Sequence, residues 1–398
     1  MIRRPPRSTL DRSSAASDVY KRQELKKAFR YFSSLPLSKK RINLNKVRLI
    51  LTVFPFFYFI NFAWTQAEYH TINVGGFGVT TREYYLYVPN EVDHNTPLVF
   101  VFHGYSGSAS GIMDYSGFNE LAEQHNFIAC YPQGTIDDDG NSFFNVGYSF
   151  HTFSGVDDVQ FIRILRAQII QEYHLTTYNT FSTGMSNGGD MSYLLACQAS
   201  DIIQAVAPVA GCMMEWIYDS CNPEYPRPVF EIHGTDDYVT WWEGDYNDAG
   251  GWGNYMGVLP TFSFWATENS CMNFESNVLP DLNQSDGSYV ISDKYTDGLG
   301  GNEVWLYKVI NGGHDWPGSY GNMDINSSEE IINFFDLFKV LATIGDTDFN
   351  GQSNIADLLY ISDQIIDQIT YSVISDINED GIVDDLDLSQ LAQSIIGY

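Results

Sequence analysis

The chain has 398 residues and a formal net charge of −29, long enough for one large or two unequal domains with a sizeable core. The charge is unevenly placed: 14 of the 21 Lys and Arg precede residue 49, whereas from Glu68 onward 47 acids face 7 bases. Such a body repels nucleic acid and anionic membranes and suits a salty or calcium-rich medium, so no nucleic-acid partner is expected.

Residues 1–23, MIRRPPRSTLDRSSAASDVYKRQ, resemble translated sequencing-adapter read-through, and no Met occurs between Met1 and Met113. This stretch is expected to be non-native. Residues 24–67 read as a signal-peptide region: basic residues, an apolar stretch from Leu49 to Trp64, then the small-residue pattern Thr65-Gln66-Ala67. The competing reading is a membrane anchor, but the apolar run is short for a span and holds Pro55 and Asn61. Cleavage, secretion and no membrane attachment afterwards are the expectation.

Five cysteines (Cys130, Cys197, Cys212, Cys221, Cys271) in an exported chain permit two disulfides and leave at least one thiol. Cys212 and Cys221 bracket a short loop and are the first expected pair. No CxxC signature of a zinc or redox site is present.

From Glu68 apolar runs alternate with helical segments. Expected strands are Glu83 to Val88, Leu98 to His103, Phe127 to Tyr131, Tyr178 to Phe181, Ala205 to Val209, Val229 to His233 and Val304 to Ile310. The clearest helix is Asp157 to Tyr173, where Val159, Ile162, Leu165 and Ile169 recur at helical spacing. This alternation predicts an α/β domain over 68–342 with a mostly parallel sheet covered on both faces. Tyr238 to Gly257 crowds Trp241, Trp242, Trp252 and Tyr255 among glycines and acids, a structured loop whose aromatic rings serve packing or substrate stacking. A helix from Ser328 to Leu341 closes the body.

Within this frame, Thr183 to Met191 reads TGMSNGGDM. In an α/β-hydrolase the nucleophilic serine sits on a sharp strand-to-helix turn that tolerates only small residues two before and two after it. Gly184 and Gly188 flank Ser186 in that way, with a strand before and a helical stretch after. A plain glycine turn is the bland alternative. A serine hydroxyl needs a base, and the base needs a carboxylate; in this fold they follow in the order serine, acid, histidine at later strand ends. VFEIHGTDDYV supplies Asp236 and Asp237, and LYKVINGGHDWPG supplies His314. Of eight histidines, only His314 follows both a strand and a glycine pair that lets a loop carry it toward Ser186; His103 and His233 read as structural hydrogen-bonding groups. For the oxyanion hole, backbone N–H groups are expected from Asn187 and from the loop in VFVFHGYSGSASG, at Tyr105 or Ser106.

Together HGYSGSAS, GMSNGG, HGTDDYV and NGGHDWPG resemble the esterase family of extracellular polyhydroxybutyrate depolymerases, feruloyl esterases and acetylxylan esterases, over about residues 70 to 340. The resemblance implies an α/β-hydrolase with Ser186, Asp237 and His314 as the triad, Asp236 being the alternative acid, and no cofactor in catalysis. It implies an ester-bearing polysaccharide or polyester as substrate. Many relatives carry cysteine where this chain has Tyr105, so their disulfides do not transfer.

Residues 345 to 398 hold 11 acids and no base. Two 12-residue loops, DTDFNGQSNIAD and DINEDGIVDDLD, start 30 residues apart, with side-chain oxygens at loop positions 1, 3, 5, 9 and 12 and glycine at 6. Calcium needs such a ring of oxygens and such a turn. The expected ligands are Asp346, Asp348, Asn350, Asn354 and Asp357, then Asp376, Asn378, Asp380, Asp384 and Asp387, holding about two Ca2+ ions. Each loop precedes an apolar-patterned run, which argues against a disordered acidic tail. The pair resembles a type I dockerin, giving a small all-α module at 343–398 that either docks on a cohesin or serves as a calcium-stabilised module without one. A non-catalytic binding protein that kept the fold is the remaining alternative.

Overall fold

The computed structural model describes residues 66–75, 80–151, 155–347, 352–367 and 372–396. The expected adapter-derived stretch, and the signal-peptide region except its last two residues, lie outside them. So do Asp348 and Asn350.

The strands are β1 (Glu68–Val74), β2 (Thr80–Tyr87), β3 (Leu98–Phe102), β4 (Ile128–Pro132), the short ribbon β5 (Thr135–Ile136) and β6 (Ser142–Phe143), β7 (Thr180–Met185), β8 (Ala205–Val209), β9 (Val229–Gly234), β10 (Asn273–Val278), β11 (Tyr289–Thr296) and β12 (Val304–Ile310). The helices are α1 (Ala109–Ser116), α2 (Phe118–His125), α3 (Asp158–Glu172), α4 (Asn187–Gln198), α5 (Glu215–Ser220), α6 (Val258–Glu268), α7 (Ser327–Asp336), α8 (Ile355–Ile366) and α9 (Asp385–Ile396).

Ten strands form one sheet in the order β1-β2-β4-β3-β7-β8-β9-β12-β11-β10. Its centre, β4 through β12, is parallel throughout, and antiparallel pairs close both edges. β3 (LVFVF), β4 (IACYP) and β8 (AVAPV) are buried at every position, as strands are when helices cover both faces of a sheet. α3 shows how: Asp157 caps its first turn by accepting the Gln160 N–H at 2.8 Å, and Phe161, Ile162, Leu165, Ile169 and Ile170 are buried, each stabilising the fold by roughly 1.5–3 kcal/mol relative to exposure. One apolar cluster lies on each face of the sheet.

Every sequence-expected strand is present within a few residues. The sequence pattern misses the short β5–β6 ribbon and β1, β10 and β11, the antiparallel strands toward the two edges of the sheet; β10 is exposed at every position and has no buried face to reveal it. The closing helix ends at Asp336, short of Leu341. Beyond it the chain is drawn out by side-chain amides: Asn179 bonds the N–H and carbonyl of Val340 at 2.8 Å each, and Asn95 bonds those of Ala342 at 2.8 and 3.0 Å. A helix could not offer its backbone in that way.

The disulfide expectation is corrected. Cys197 pairs with Cys221, and among the described residues Cys212 is free and buried. The Cys212 N–H donates to Asp190 at 2.6 Å, which fixes its backbone in the core and leaves Cys221 to reach the end of α4.

The tail carries α8 and α9 around a small core of Ile361, Val383 and Leu391. Its two loops close alike. The Thr347 and Asn354 N–H groups donate to the two carboxylate oxygens of Asp357 at 2.7 and 2.8 Å; the Ile377 and Asp384 N–H groups do so to Asp387, both at 2.8 Å.

Candidate active site

Ser186 sits between β7 and α4 with φ 55° and ψ −121°, a conformation few non-glycine residues adopt, and one that persists only where the surroundings enforce it. Enforcement comes from close packing. A Cβ at Gly184 would lie 2.7 Å from the Phe102 and Gly188 carbonyl oxygens, and one at Gly188 would lie 2.3 Å from that of Phe102. The Ser186 N–H donates to Val209 at 2.9 Å, so the turn is tied to the next strand.

Asp237 follows β9 and His314 follows β12, the neighbouring parallel strand. The Asp237 side chain is fully buried and His314 is 14% exposed. His314 Nδ1 lies 2.7 Å from Asp237 Oδ2, while Asp237 Oδ1 accepts the Val239 and Thr240 N–H groups at 2.8 and 2.9 Å. A carboxylate only accepts, so the Nδ1 proton is fixed and Nε2 is left as the basic nitrogen. Asp236 is exposed, with only its backbone tied to Gly312, so the structure brings Asp237 to His314 and leaves Asp236 outside. Parallel pairing sets Ser186, Asp237 and His314 at the same end of the sheet. Among the described residues, no hydrogen bond joins the Ser186 hydroxyl to His314; such bonds often tighten only with substrate bound.

The loop after β3 lies against Ser186. A Cβ at Gly104 would be 3.4 Å from the Ser186 Cβ. The Ser106 N–H is already given to the Ser142 carbonyl at 2.8 Å, which removes it as an oxyanion donor. Among the described residues, the N–H groups of Tyr105 and Asn187 have no protein acceptor. His103 holds this loop: its Nδ1 faces the Gly104 carbonyl at 2.8 Å and its Nε2 accepts the Gly134 N–H at 2.9 Å. Burial pushes its pKa down to about 4, so it is a neutral structural group. Asn187 is oriented by a two-way amide pairing with Phe144 at 2.7 and 3.0 Å.

Tyr105 adds a wall. Its hydroxyl donates to Asp137 at 2.6 Å and accepts from Asn141 at 2.9 Å. Its ring meets Trp252 and Phe150 edge-on at 5.4 and 5.7 Å, and Trp252 lies 5.2 Å from Tyr148. Phe150 is 42% exposed, giving these rings a solvent-facing edge. The aromatic loop thus divides its labour: Tyr255 is buried and accepts the Trp241 N–H, whereas Trp252 reaches Tyr105 in the loop after β3. Neither Phe150 nor Tyr148 stood out in the sequence, because nothing local links them to Tyr105. Also unforeseen is Asp190, which accepts from the Tyr148 hydroxyl at 2.6 Å and whose pKa burial lifts to about 7.

In the tail, Asp376 accepts the Asp380 and Gly381 N–H groups at 3.0 and 2.7 Å, and the Asn378 amide donates to Asp380 at 3.0 Å. Asp346, Asp357, Asp376 and Asp387 are buried in a segment without Lys or Arg. Hard oxygen donors without a neutralising base suit Ca2+. Among the described residues, no three carboxylate, imidazole or thiolate groups converge as a ready-made metal centre.

No protein-family model matches the chain. It is 29% identical over 226 residues to feruloyl esterase B of Piromyces equi, covering 56% of this chain and 40% of that protein. It is 27% identical over 158 residues to a bifunctional acetylxylan esterase/xylanase of Neocallimastix patriciarum, covering 40% and 22%. With poly(3-hydroxyalkanoate) depolymerase C of Paucimonas lemoignei the identity is 24% over 252 residues, covering 62% and 59%. The chain spans less than two thirds of each of these relatives. Among solved structures, an acetyl xylan esterase from Aspergillus awamori aligns with a TM-score of 0.47 and 16% identity, over 68% of this chain and 99% of that one. Two of these three sequence relatives are named as esterases and the third as a polyhydroxyalkanoate depolymerase.

Proposed function

We propose that the chain is a secreted serine ester hydrolase that removes feruloyl or acetyl groups from plant or algal polysaccharides. One observation carries the reading: the buried Asp237 holds His314 at 2.7 Å at the sheet end where Ser186 occupies its strained turn. In this reading His314 Nε2 takes the Ser186 proton as Oγ attacks the ester carbon. The Tyr105 and Asn187 N–H groups receive the developing oxyanion, a contribution of roughly 2.7–4 kcal/mol per donor. The imidazolium, stabilised by Asp237, protonates the sugar oxygen as its bond to the acyl carbon breaks, leaving the acyl group on Ser186 Oγ; water, deprotonated by His314, then attacks that ester and frees the acid and the serine. No step calls for a cofactor.

The rings around Tyr105 favour an aromatic acyl group. Similarity to a polyhydroxyalkanoate depolymerase supports a second reading, polyester cleavage with the same chemistry. Secretion rests on the N-terminal leader. The tail is proposed to hold about two Ca2+ ions through the carboxylate and amide oxygens of its loops, and to offer a cohesin-like partner its helices.

Turnover of p-nitrophenyl acetate by wild type and Ser186→Ala tests the core claim. A loss of at least 10³-fold is expected, and equal rates would leave only the binding-protein reading. Methyl ferulate, acetylated xylan and polyhydroxybutyrate film then separate the substrate classes.

A further inference from the structure

Strand β9 carries more than the approach to Asp237. Its alternation sends Glu231 and His233 to one face, where both are enclosed, at 4% and 0% exposure. His233 Nδ1 lies 2.8 Å from Glu231 Oε1. Its Nε2 lies 2.9 Å from the Thr240 carbonyl and 3.5 Å from Asp237 Oδ2, the oxygen that also receives His314. A carbonyl only accepts, so Nε2 carries a proton. Glu231 is ringed by donors: the Tyr193 hydroxyl at 2.7 Å and the Gly211 N–H. An ionised carboxylate accepts from these and from Nδ1 together, which makes His233 doubly protonated.

We propose that Glu231 and His233 form a buried carboxylate–imidazolium pair that positions Asp237 and lowers the readiness of His314 to take up a proton. This rests on the esterase reading and adds two positioning residues to it. The cationic ring beside Asp237 partly cancels that carboxylate's field at His314; Glu231, farther away, opposes it only in part.

The surroundings agree. Burial by itself would depress the His233 pKa, but Glu231 and then Asp237 outweigh it and the net direction is up. Burial also lifts Glu231, against the pull of His233 and Tyr193. The remaining titratable neighbours are Asp190 on α4 and the Cys212 thiol, which burial holds well above its usual range and therefore neutral. The Trp242 ring stands edge-on to His233 at 6.0 Å and brings no charge.

Glu231→Gln removes the charge while its amide can still donate to Nδ1 of a neutral His233 that keeps its Nε2–H on Thr240. The acidic limb of kcat/KM for p-nitrophenyl acetate should then move up by roughly 0.5–1 pH unit, with the plateau within about tenfold of wild type. A folded variant whose limb stays in place would overturn the proposal and reduce the pair to packing. A second measurement needs no variant: in wild type labelled with 15N-histidine, one histidine should keep both ring nitrogens protonated at pH 7 and beyond the range in which an ordinary imidazole loses its proton. A neutral signature for His233 at pH 7 would overturn it equally. If wild type shows no Ser186-dependent turnover, the esterase reading is what fails, and the nitrogen signals still decide the charge of the pair.

Discussion

In the body, the buried carboxylates of Asp158, Glu231 and Asp237 each meet a group that can carry positive charge: Arg82 at 2.7 Å, His233 at 2.8 Å and His314 at 2.7 Å. In the tail, Asp376 and Asp387 are as deeply buried, yet no Lys or Arg occurs beyond Lys339, and backbone N–H groups meet their oxygens instead. The cores differ in the same sense. Two extensive clusters flank the sheet, whereas the tail's cluster among the described residues is Ile361, Val383 and Leu391, with Ile374 also buried, a small core to set against the ordering of its chain. Several buried carboxylates of the body thus have a cationic partner within the fold, whereas Asp376 and Asp387 of the tail have none among the described residues, which is the difference the proposed Ca2+ ions would make good.

The largest break in this comparison should come from Asp237→Asn. An amide in place of the carboxylate presents His314 with the wrong partner for its Nδ1 proton and leaves the imidazolium unsupported, so kcat should fall by about 10⁴-fold while calcium binding by the tail, read by calorimetry, stays unchanged. A fall of less than tenfold would mean that the 2.7 Å contact is not used in turnover.

How much of this could be read in advance follows from what is local. Ser186 and its flanking glycines, and the strand ends before Asp237 and His314, announce themselves within ten residues, because tight turns and buried parallel strands constrain composition directly. The doubled tail loops are legible for the same reason. The Cys197–Cys221 bridge was not: it depends on Asp190 drawing the Cys212 backbone into the core, a contact between residues 22 apart. Glu231 left a faint trace, since a Glu inside the apolar run VFEIH must be paired in a buried strand, but its partner needed the fold. The wall beside Tyr105 joins it to Phe150 and Trp252, in segments far apart in the chain that share no pattern.

The next effect is confined to the body. Cysteines 24 positions apart close a loop whose cross-link should contribute about 3 kcal/mol by restricting the unfolded chain. Cys197→Ser with Cys221→Ser should lower the urea midpoint accordingly and leave calcium affinity untouched. A parallel loss of calcium binding would show the two regions to be one cooperative unit.

Chelation addresses the tail alone. With free Ca2+ at 100 times its dissociation constant, binding adds about 2.7 kcal/mol to a folded site, so a chelator should open residues 345–396 to proteolysis and amide exchange. Ester turnover should stay within about twofold. Strong inactivation would instead tie the tail to the active site.

The smallest effect probes a buried carboxylate of the body that no cation meets. Asp190 is held by the Tyr148 hydroxyl and the Cys212 N–H without a cation, and burial raises its pKa to about 7 from an ordinary 3.8. The folded state thus binds its proton more tightly than the unfolded one, and the contribution to stability is fully present below about pH 4 and lost as pH rises through about 7. Asp190→Asn keeps one acceptor and sacrifices part of the hydrogen bonding, costing about 1 kcal/mol at pH 5. Because the neutral amide has no charge to bury, that gap should close or reverse by pH 8 in paired thermal melts. A gap independent of pH would place Asp190 among the carboxylates whose charge the body already compensates.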